Sequence, residues 1–389
     1  MRGAFELSFR LGFYYFAIFI VAGIHMPFWP VWLSARGLSA GDIGLLTGAA
    51  LLLRVITGPL IAFASDRAGR RRAQIILFSV LLGISFALFS FAHSFIVIFL
   101  ITLLTSTLIP AIMPLLDTIT LARSTENRVD YGRIRLWGSV GFIATSMTGG
   151  YVLARAGHEI ILPLILTGCA VTVAASLLLP GETTPATATR RPHWREAVHL
   201  CRDRRFLLFL AAGSLIQAAH AVYYTFGTLN WQRLGFSGDL IGVLWALGVV
   251  AEIILFMFSR RLTGRFSPAG LLALGGGAGV VRWGAMAMDP GAFWLVPLQC
   301  LHAFSFGATH LAAMQFILRA APAHLAVTAQ GIYAALAMGV VIGGVTYGAG
   351  FVYAGFGSLA YLAMAALCAL GGLFALGLRK NWAGGALAC

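Results

Sequence analysis

The sequence predicts an all-α membrane protein in which twelve transmembrane helices form two pseudo-symmetric six-helix halves. Its 389 residues are 59% hydrophobic and only 10% charged, and the mean hydropathy is +0.88. This composition indicates a chain that crosses a membrane many times rather than a water-soluble domain. Uncharged runs recur at the length that a helix needs to cross a bilayer core of ~30 Å. Arginines gather in alternate loops between those runs, which is the charge asymmetry of a multi-span protein.

Hydropathy places the twelve spans between mostly short loops. Glycine and proline are frequent inside them, as in other membrane helices, where neighbouring groups satisfy the backbone atoms that a break leaves free. The predicted spans are residues 9–33, 41–64, 74–91, 95–122, 134–155, 160–180, 206–231, 240–259, 269–287, 292–318, 325–353 and 358–378.

One long polar segment divides the spans into two sets of six. Residues 181–205 contain proline, several threonines and six arginines, a composition typical of a loop that stays in water. We therefore predict an N-terminal half at residues 1–180, a cytoplasmic linker at 181–205 and a C-terminal half at 206–389.

A short internal repeat supports two related halves. When Trp32 at the end of the first span is aligned with Trp231 at the end of the seventh, several of the following residues match. One residue shift later, Ile43 and Gly44 match Ile241 and Gly242, and in that register Arg54 lies opposite Glu252, so charges of opposite sign occupy equivalent positions. Paired six-span repeats with a ligand site near the midplane are typical of secondary transporters.

Sorting the basic residues by loop predicts the orientation of the chain. The side of the two termini holds most of them, whereas the opposite side holds only Arg36, Arg155 and Arg233. By the positive-inside rule both termini lie in the cytoplasm, and we expect a multi-pass protein of the bacterial cytoplasmic membrane. The same rule accounts for the net charge of +14, so we expect no nucleic-acid partner. Five scattered cysteines predict neither a disulfide framework nor a metal site.

Ionisable side chains inside the predicted spans are the first candidates for function. A charge in the bilayer core costs about 2.5–3.5 kcal/mol on insertion scales, so such residues face a bundle interior or a watery cavity. Asp117 and Arg135 lie on consecutive spans, as do Glu252 and Arg282, and we predict these two ion pairs. Arg54 is then left over, and its planar guanidinium suits a carboxylate substrate. The alternative is that all five residues are ties between helices.

Aromatic side chains accompany the buried charges. Trp245 and Glu252 share one face of the eighth span, which is typical of a cavity wall. We predict that Trp245 and Tyr224 contribute to substrate binding, and that Trp29 and Tyr223 add further aromatic surface.

Two histidines within spans are candidates for proton coupling. His220 and His302 can exchange protons because an unperturbed imidazole titrates near neutrality. We group them with the carboxylates of Glu252 and Asp117 as the predicted proton-coupling residues. The alternative for each histidine is a hydrogen bond between helices.

The loop after the second span carries a motif. Asp66, Arg67, Gly69 and Arg70 follow the pattern D-R-x-G-R, which resembles the signature loop of the major facilitator superfamily. Copies in that family usually have glycine four residues before the aspartate, where this chain has Ala62. The resemblance implies that this loop takes part in conformational change.

Longer segments resemble the lactose-permease-like branch of that superfamily and, within it, the phenylpropionate permease family. The resemblance covers nearly the whole chain. The segments that carry it are residues 14–33, 130–141, 217–237, 244–253, 280–284 and 310–316.

The resemblance implies a proton-driven symporter that works by alternating access. By the same resemblance Asp117 and Arg135 match residues that hold the solute. Glu252, Arg282 and His302 match an acid, an arginine and a histidine of the later spans.

Ser305 marks a departure from the sugar-transporting relatives, which carry a proton on a glutamate at this position. The proton of this chain must therefore be carried elsewhere, and Glu252 or Asp117 is the candidate. The sugar pocket is also not copied faithfully, because Asp117 is the shorter of the two acidic side chains.

We therefore expect uptake of a small organic acid with protons, and we favour an aromatic monocarboxylate such as 3-phenylpropionate. Arg54 or Arg282 would bind the carboxylate. The alternative is proton symport of a neutral sugar or nucleoside. A membrane enzyme or a sensor is disfavoured, because the sequence holds no nucleophile elbow, metal cluster or phosphate loop. We expect a monomer in the lipid bilayer, with a small-molecule substrate and protons as partners and no cofactor beyond the proton gradient.

Overall fold

Within the described part of the chain, the computed structural model is helical and contains no strand. Helices occupy all twelve of the segments that hydropathy selected. The structure describes residues 2–181 and 194–387, with the backbone alone for residues 2–4, 66, 194–197 and 323.

The first part of the chain folds into six helices, and short 3₁₀ turns follow two of them. The helices are α1 (Arg2–Ala35), α2 (Ala40–Ala68), α3 (Arg71–Leu88), α4 (Phe95–Asn127), α5 (Tyr131–Ala156) and α6 (Ile161–Leu177), and the turns are Phe89–Phe91 and His158–Ile160.

The helices of the second part are mostly shorter, because several predicted spans are interrupted. The eleven helices are α7 (Trp194–Arg202), α8 (Arg204–Ala218), α9 (Ala221–Arg233), α10 (Gly238–Met257), α11 (Ser259–Arg265), α12 (Pro268–Met286), α13 (Ala292–Cys300), α14 (Thr309–Ala320), α15 (Ala326–Ala335), α16 (Ile342–Phe356) and α17 (Ala360–Asn381). Two π-helical segments, Ala303–Ala308 and Leu336–Val341, join α13 to α14 and α15 to α16.

Polar side chains determine where α2 and α5 begin, and a glycine determines where α2 ends. Ser39 and Asp42 form a capping box at the start of α2. Gly69 ends α2 with a φ of 65°, a backbone conformation that glycine adopts without strain. Asp130 begins α5 by accepting hydrogen bonds from the backbone amides two and three residues further on. Gly69 of the signature loop is therefore explained locally, because it ends α2 in a conformation that favours glycine.

Nine of the described helical stretches are long and apolar enough to cross a membrane. The last of them, Ala326–Asn381, covers the two final predicted spans, so the nine stretches correspond to ten of the predicted spans. The other two are α5 and α12, which form helices of more mixed composition. The mean hydropathy of α5 is lowered by glycine, serine and threonine, and that of α12 by Arg282 and several glycines.

By packing, the chain forms two compact units. The first contains Met1–Pro185 and Trp231–Ala246, and the second contains Ala186–Asn230 and Leu247–Cys389. The start of α10 thus packs with the first unit, whereas the part that carries Glu252 belongs to the second. The sequence-based halves stay a prediction.

Close backbone contacts, which glycine makes possible, join α5 to α1 and α10 in the first unit. A Cβ atom on Gly141 would lie 2.6 Å from the carbonyl oxygen of Phe16 in α1. A Cβ atom on Gly150 would lie 2.2 Å from the carbonyl oxygen of Gly238 in α10. Small residues that permit such an approach are a common basis of helix association in membranes.

In the second unit a similar contact joins α12 and α17. A Cβ atom on Gly279 would lie 2.3 Å from the Cys368 Sγ atom. One turn further along α12, the Trp283 ring stacks on Tyr361 with centroids 5.8 Å apart. These contacts fix α12 against α17 and so determine where Arg282 lies.

We predict that Gly141→Ala lowers the thermal stability of the purified protein, because the added methyl group overlaps the α1 backbone. Overpacking of this kind costs about 1–3 kcal/mol. The matched control is Gly58→Ala in α2, where an added Cβ meets nothing within 4 Å. Thermal unfolding in detergent measures both variants, and equal midpoints would contradict the predicted α1–α5 contact.

Candidate functional site

A polar cluster built around Arg282 lies inside the second unit. Arg282 is 0% exposed and lies in the C-terminal part of α12. Its Nη1 donates a hydrogen bond to His302 Nδ1 at 2.8 Å, and its Nη2 donates to Gln299 Oε1 at 3.0 Å. A longer bond of 3.4 Å runs from Nη1 to Ser305 Oγ. The two terminal nitrogens of the buried guanidinium are therefore bonded to side chains other than carboxylates, whereas its Nε has no hydrogen-bond partner among the described residues.

Glu252 joins this cluster through His302. Its Oε1 atom lies 2.7 Å from His302 Nε2, and both side chains are largely buried. The predicted direct ion pair between Glu252 and Arg282 is wrong, because the imidazole stands between the two charged groups. Gly248, one turn before Glu252 on α10, lies beside this ring, and a Cβ atom there would make an ordinary van der Waals contact with His302 Cδ2 at 3.4 Å.

The donors and acceptors of this chain fix the tautomer of His302. A guanidinium has only donors, so His302 Nδ1 must accept the bond from Arg282. The proton of the neutral ring is then on Nε2, where it is donated to Glu252 Oε1. In the bonded series Arg282–His302–Glu252, both hydrogen bonds are therefore donated in the same direction, from the arginine toward the carboxylate.

His220 has the opposite tautomer. Its Nδ1 lies 3.2 and 3.1 Å from the backbone carbonyl oxygens of Ile216 and Gln217, to which it must donate. Its Nε2 consequently accepts from the Ser305 hydroxyl at 3.1 Å. Since Ser305 Oγ also accepts from Arg282, the serine connects the arginine to the second histidine.

Two interruptions of the helices place these residues. His220 lies in the break between α8 and α9. Ser305 lies in the π-helical segment Ala303–Ala308, which begins directly after His302. Single π-helical turns inside α-helices are frequent at functional sites. Hydropathy gave no sign of either interruption, because the residues around both are apolar.

Aromatic rings enclose the cluster. The Tyr223 hydroxyl donates to Gln299 Oε1 at 3.0 Å, and the Arg282 guanidinium lies 4.6 Å from the Tyr223 ring centroid. The predicted residue Tyr224 stacks against His220 at 5.5 Å. Gln299 was not among the predicted site residues, although its position one turn before His302 was the available signal.

Trp245 belongs to the first unit, although it shares α10 with Glu252. Its ring is 3% exposed and lies 6.5 Å from that of Trp231, edge to face. Its predicted role in substrate binding stays a prediction.

Asp117 and Arg135 lie together in the first unit, but the predicted ion pair between them is wrong. Asp117 Oδ1 accepts hydrogen bonds from the hydroxyls of Tyr15 and Tyr131, the latter at 3.0 Å. The Arg135 guanidinium instead lies over the rings of Tyr15 and Phe19, at 5.3 and 4.6 Å from their centroids. Sequence reasoning missed both tyrosines, and the signal was that a hydroxyl in an apolar helix needs a partner.

Arg54 has no carboxylate within 4.0 Å among the described side chains. Its Nε donates to the Ser106 carbonyl oxygen at 3.1 Å. The side chain lines a cavity of about 90 Å³, together with His25, Trp29 and Phe89. The guanidinium thus lines a cavity that also contains aromatic side chains, and its predicted role in substrate binding stays a prediction.

The signature loop is partly described. The Arg67 guanidinium lies 5.8 Å from the Phe63 ring centroid, and Arg70 precedes α3 without a side-chain cap. Gly69 ends α2, and the side chain of Asp66 lies outside the described ones. The predicted conformational role of the loop stays a prediction.

A helical fold with several apolar stretches of membrane-spanning length and polar clusters buried inside each unit is typical of a membrane transporter. The chain belongs to the MFS_1 like family, whose pattern matches residues 8–363. The family and the relatives of the chain are transporters, not enzymes.

Two curated relatives are transporters. The chain is 35% identical to the "Probable 3-phenylpropionic acid transporter" of Escherichia coli (strain K12), over 92% of this chain and 94% of that protein. It is 26% identical to the "Maltose permease" of Geobacillus stearothermophilus, over 84% and 83% of the respective chains.

Solved structures of transporters share the fold. The nucleoside transporter NupG superposes with a TM-score of 0.81 at 17% identity, over 96% of this chain and 99% of that one. A D-xylose-proton symporter superposes with a TM-score of 0.68 at 15% identity, over 96% of both chains.

We predict that His302 and His220 carry their ring protons on different nitrogens. Nitrogen-15 NMR of histidine-labelled protein, assigned with His302→Gln and His220→Gln, should place the proton of His302 on Nε2 and that of His220 on Nδ1. Exposed His93 is the internal control, and its signals should average over both tautomers. The same tautomer for His220 and His302 would contradict the hydrogen-bond directions.

Proposed function

We propose that the chain is a secondary active transporter that takes up a small organic acid together with protons by alternating access. It would lie in the bacterial cytoplasmic membrane with twelve spans and both termini in the cytoplasm. The observation that carries the proposal is the arginine-lined cavity of the first unit, in which Arg54 has no acidic partner among the described residues.

The favoured substrate is an aromatic monocarboxylate such as 3-phenylpropionate. The guanidinium of Arg54 would bind the carboxylate, because its planar fork matches two carboxylate oxygens. Trp29 and Phe89 line the same cavity with ring centroids 4.8 Å apart and would contact an aryl ring. The name of the relative that is 35% identical supports the same class of substrate.

Proton coupling would use the bonded series of Glu252, His302 and Arg282. A proton added to His302 would occupy Nδ1 and face Arg282 Nη1, so that donor would oppose donor and the 2.8 Å bond would break. A proton added to Glu252 would neutralise the carboxylate that His302 Nε2 faces. In either case Arg282 becomes less firmly held and available to an anion. Proton and anion would then enter the cycle together, although Ser305 replaces the proton-carrying acid of the sugar permeases.

We predict that Glu252→Gln abolishes uphill accumulation of labelled phenylpropionate while exchange across the membrane persists. A gradient of one pH unit is worth about 1.36 kcal/mol per proton, or about tenfold accumulation, and the variant should lose all of it. Membrane vesicles with an imposed pH gradient measure both activities. The control is Glu159→Gln, an acid 72% exposed outside the cluster, which should leave accumulation intact.

Wild-type accumulation that is indifferent to a protonophore would contradict proton coupling. Accumulation by the Glu252→Gln variant at the wild-type level would exclude Glu252 as a necessary coupling group.

We predict that Arg54→Gln raises the concentration of phenylpropionate needed for half-maximal uptake by about 10- to 150-fold. A hydrogen bond to a charged group contributes about 1.5–3 kcal/mol, which corresponds to that range. The control is Arg260→Gln, which removes a charge in α11, away from the cavity. An equal concentration for half-maximal uptake in the Arg54→Gln variant and the wild type would mean that the carboxylate binds elsewhere, with Arg282 the next candidate.

The second candidate function is proton symport of a neutral sugar or nucleoside. Asp117 with the hydroxyls of Tyr15 and Tyr131 forms a polar group suited to hydroxylated solutes. Neighbours named as a nucleoside transporter and a D-xylose-proton symporter support this alternative. Thermal stabilisation of the purified protein by a panel of acids, sugars and nucleosides separates the two functions, because only the acid site depends on Arg54.

A further inference from the structure

A cavity of about 650 Å³ lies in the first unit, where α1 begins and α4 passes to α5. Its wall is mainly aromatic and includes Phe9, Phe13 and Trp137. The rings of Phe9 and Phe13 stack with centroids 5.9 Å apart. Neither polar cluster of the proposed transport function contributes a side chain to this cavity.

The aromatic wall is open on one side. Phe5 is 76% exposed, Phe9 57% and Trp137 51%. The exposed face continues along α5 through Leu136 and Val140. A continuous exposed apolar face on membrane helices indicates contact with lipid.

The cavity is thus a groove that is open on one side, and its rim lies at the ends of membrane-spanning stretches. The apolar stretch of α1 begins at Phe5, and that of α4 ends at Asn127. Arg128 follows directly and Arg133 lies in the first turn of α5, so both would lie near the lipid headgroups of a bilayer that these stretches span. Phe16 lies eleven residues along α1 from Phe5, which places it roughly 16 Å deeper. The groove is therefore cationic at its rim and apolar in its depth.

The rim has an excess of positive charge. Arg128 takes part in no hydrogen bond or ion pair with another described side chain, and Arg133 is 90% exposed. Asp130 is the one carboxylate among the lining residues, and its Oδ2 lies 3.9 Å from Arg133 Nε. Its Oδ1 already caps α5. The rim thus has two guanidinium groups and one carboxylate, and one oxygen of that carboxylate already accepts hydrogen bonds from the α5 backbone.

We propose that this groove binds an anionic phospholipid of the cytoplasmic leaflet. The phosphate would lie between Arg128 and Arg133, and an acyl chain would run along Phe9, Phe13 and Trp137. An aromatic acid is too short to contact the rim and Phe16 together, whereas an acyl chain has this length. Basic pockets between membrane helices on the cytoplasmic side are a recognised way of binding lipid headgroups.

The test compares phosphatidylglycerol with phosphatidylethanolamine of the same acyl chains, added to the purified full-length protein in detergent. Thermal unfolding and native mass spectrometry report binding. The test variant combines Arg128→Asn with Arg133→Gln. Asparagine is chosen because residue 128 has a φ of 53°. The charge-matched control combines Arg260→Gln with Arg261→Gln on α11.

Phosphatidylglycerol should stabilise the wild type at lower concentration than phosphatidylethanolamine. The test variant should need about thirtyfold more, because each basic residue near an anionic surface contributes about fivefold. The control variant should behave as the wild type, and Trp137→Ala should weaken binding of both lipids. Equal response to the two lipids, no change in the test variant or an equal loss in the control would overturn the proposal. None of these outcomes depends on the transported substrate.

Discussion

The buried guanidinium of Arg282 is the constraint around which the second unit is built. A cation at 0% exposure inside an apolar helix is costly unless partners bond to its donors. Here the partners are His302, Gln299 and Ser305, contributed by α13 and the segment after it. The carboxylate of Glu252 compensates the positive charge of Arg282 from the far side of the His302 ring. The π-helical segment Ala303–Ala308 places Ser305 near the guanidinium, and the close packing of α12 on α17 holds the helix that carries it.

The two units solve the problem of buried charge differently. In the second unit the charges are connected through hydrogen bonds of fixed direction. In the first unit Asp117 is satisfied by tyrosine hydroxyls and Arg135 by aromatic faces, while Arg54 donates to a backbone carbonyl and lines a cavity. A neutral donor such as a phenol stabilises a carboxylate without cancelling its charge. The first unit therefore keeps charges without partners of opposite sign among the described residues, whereas the second joins its charges through the imidazole of His302.

Much of the fold was predictable from the sequence, because hydropathy and loop charge depend on composition alone. All twelve predicted segments are helical, and every predicted intramembrane charge lies in a helix. The partners of those charges were not predictable. Glu252 and Arg282 are on consecutive spans, but which side chains meet depends on the rotation of each helix and on the length of the imidazole between them. The break at His220 and the π-helical turn at Ser305 also left no trace, since neither requires proline. Glycine contacts such as Gly141 with Phe16 likewise need the helix positions.

The fixed direction of bonding at His302 has a consequence for natural variation at this position. A glutamine side chain also presents one acceptor and one donor, so it could receive Arg282 and reach Glu252 in the same order. Unlike imidazole, an amide does not pick up a proton at physiological pH. A single codon change at residue 302 could therefore keep this order of hydrogen bonds while removing a side chain that can take up a proton.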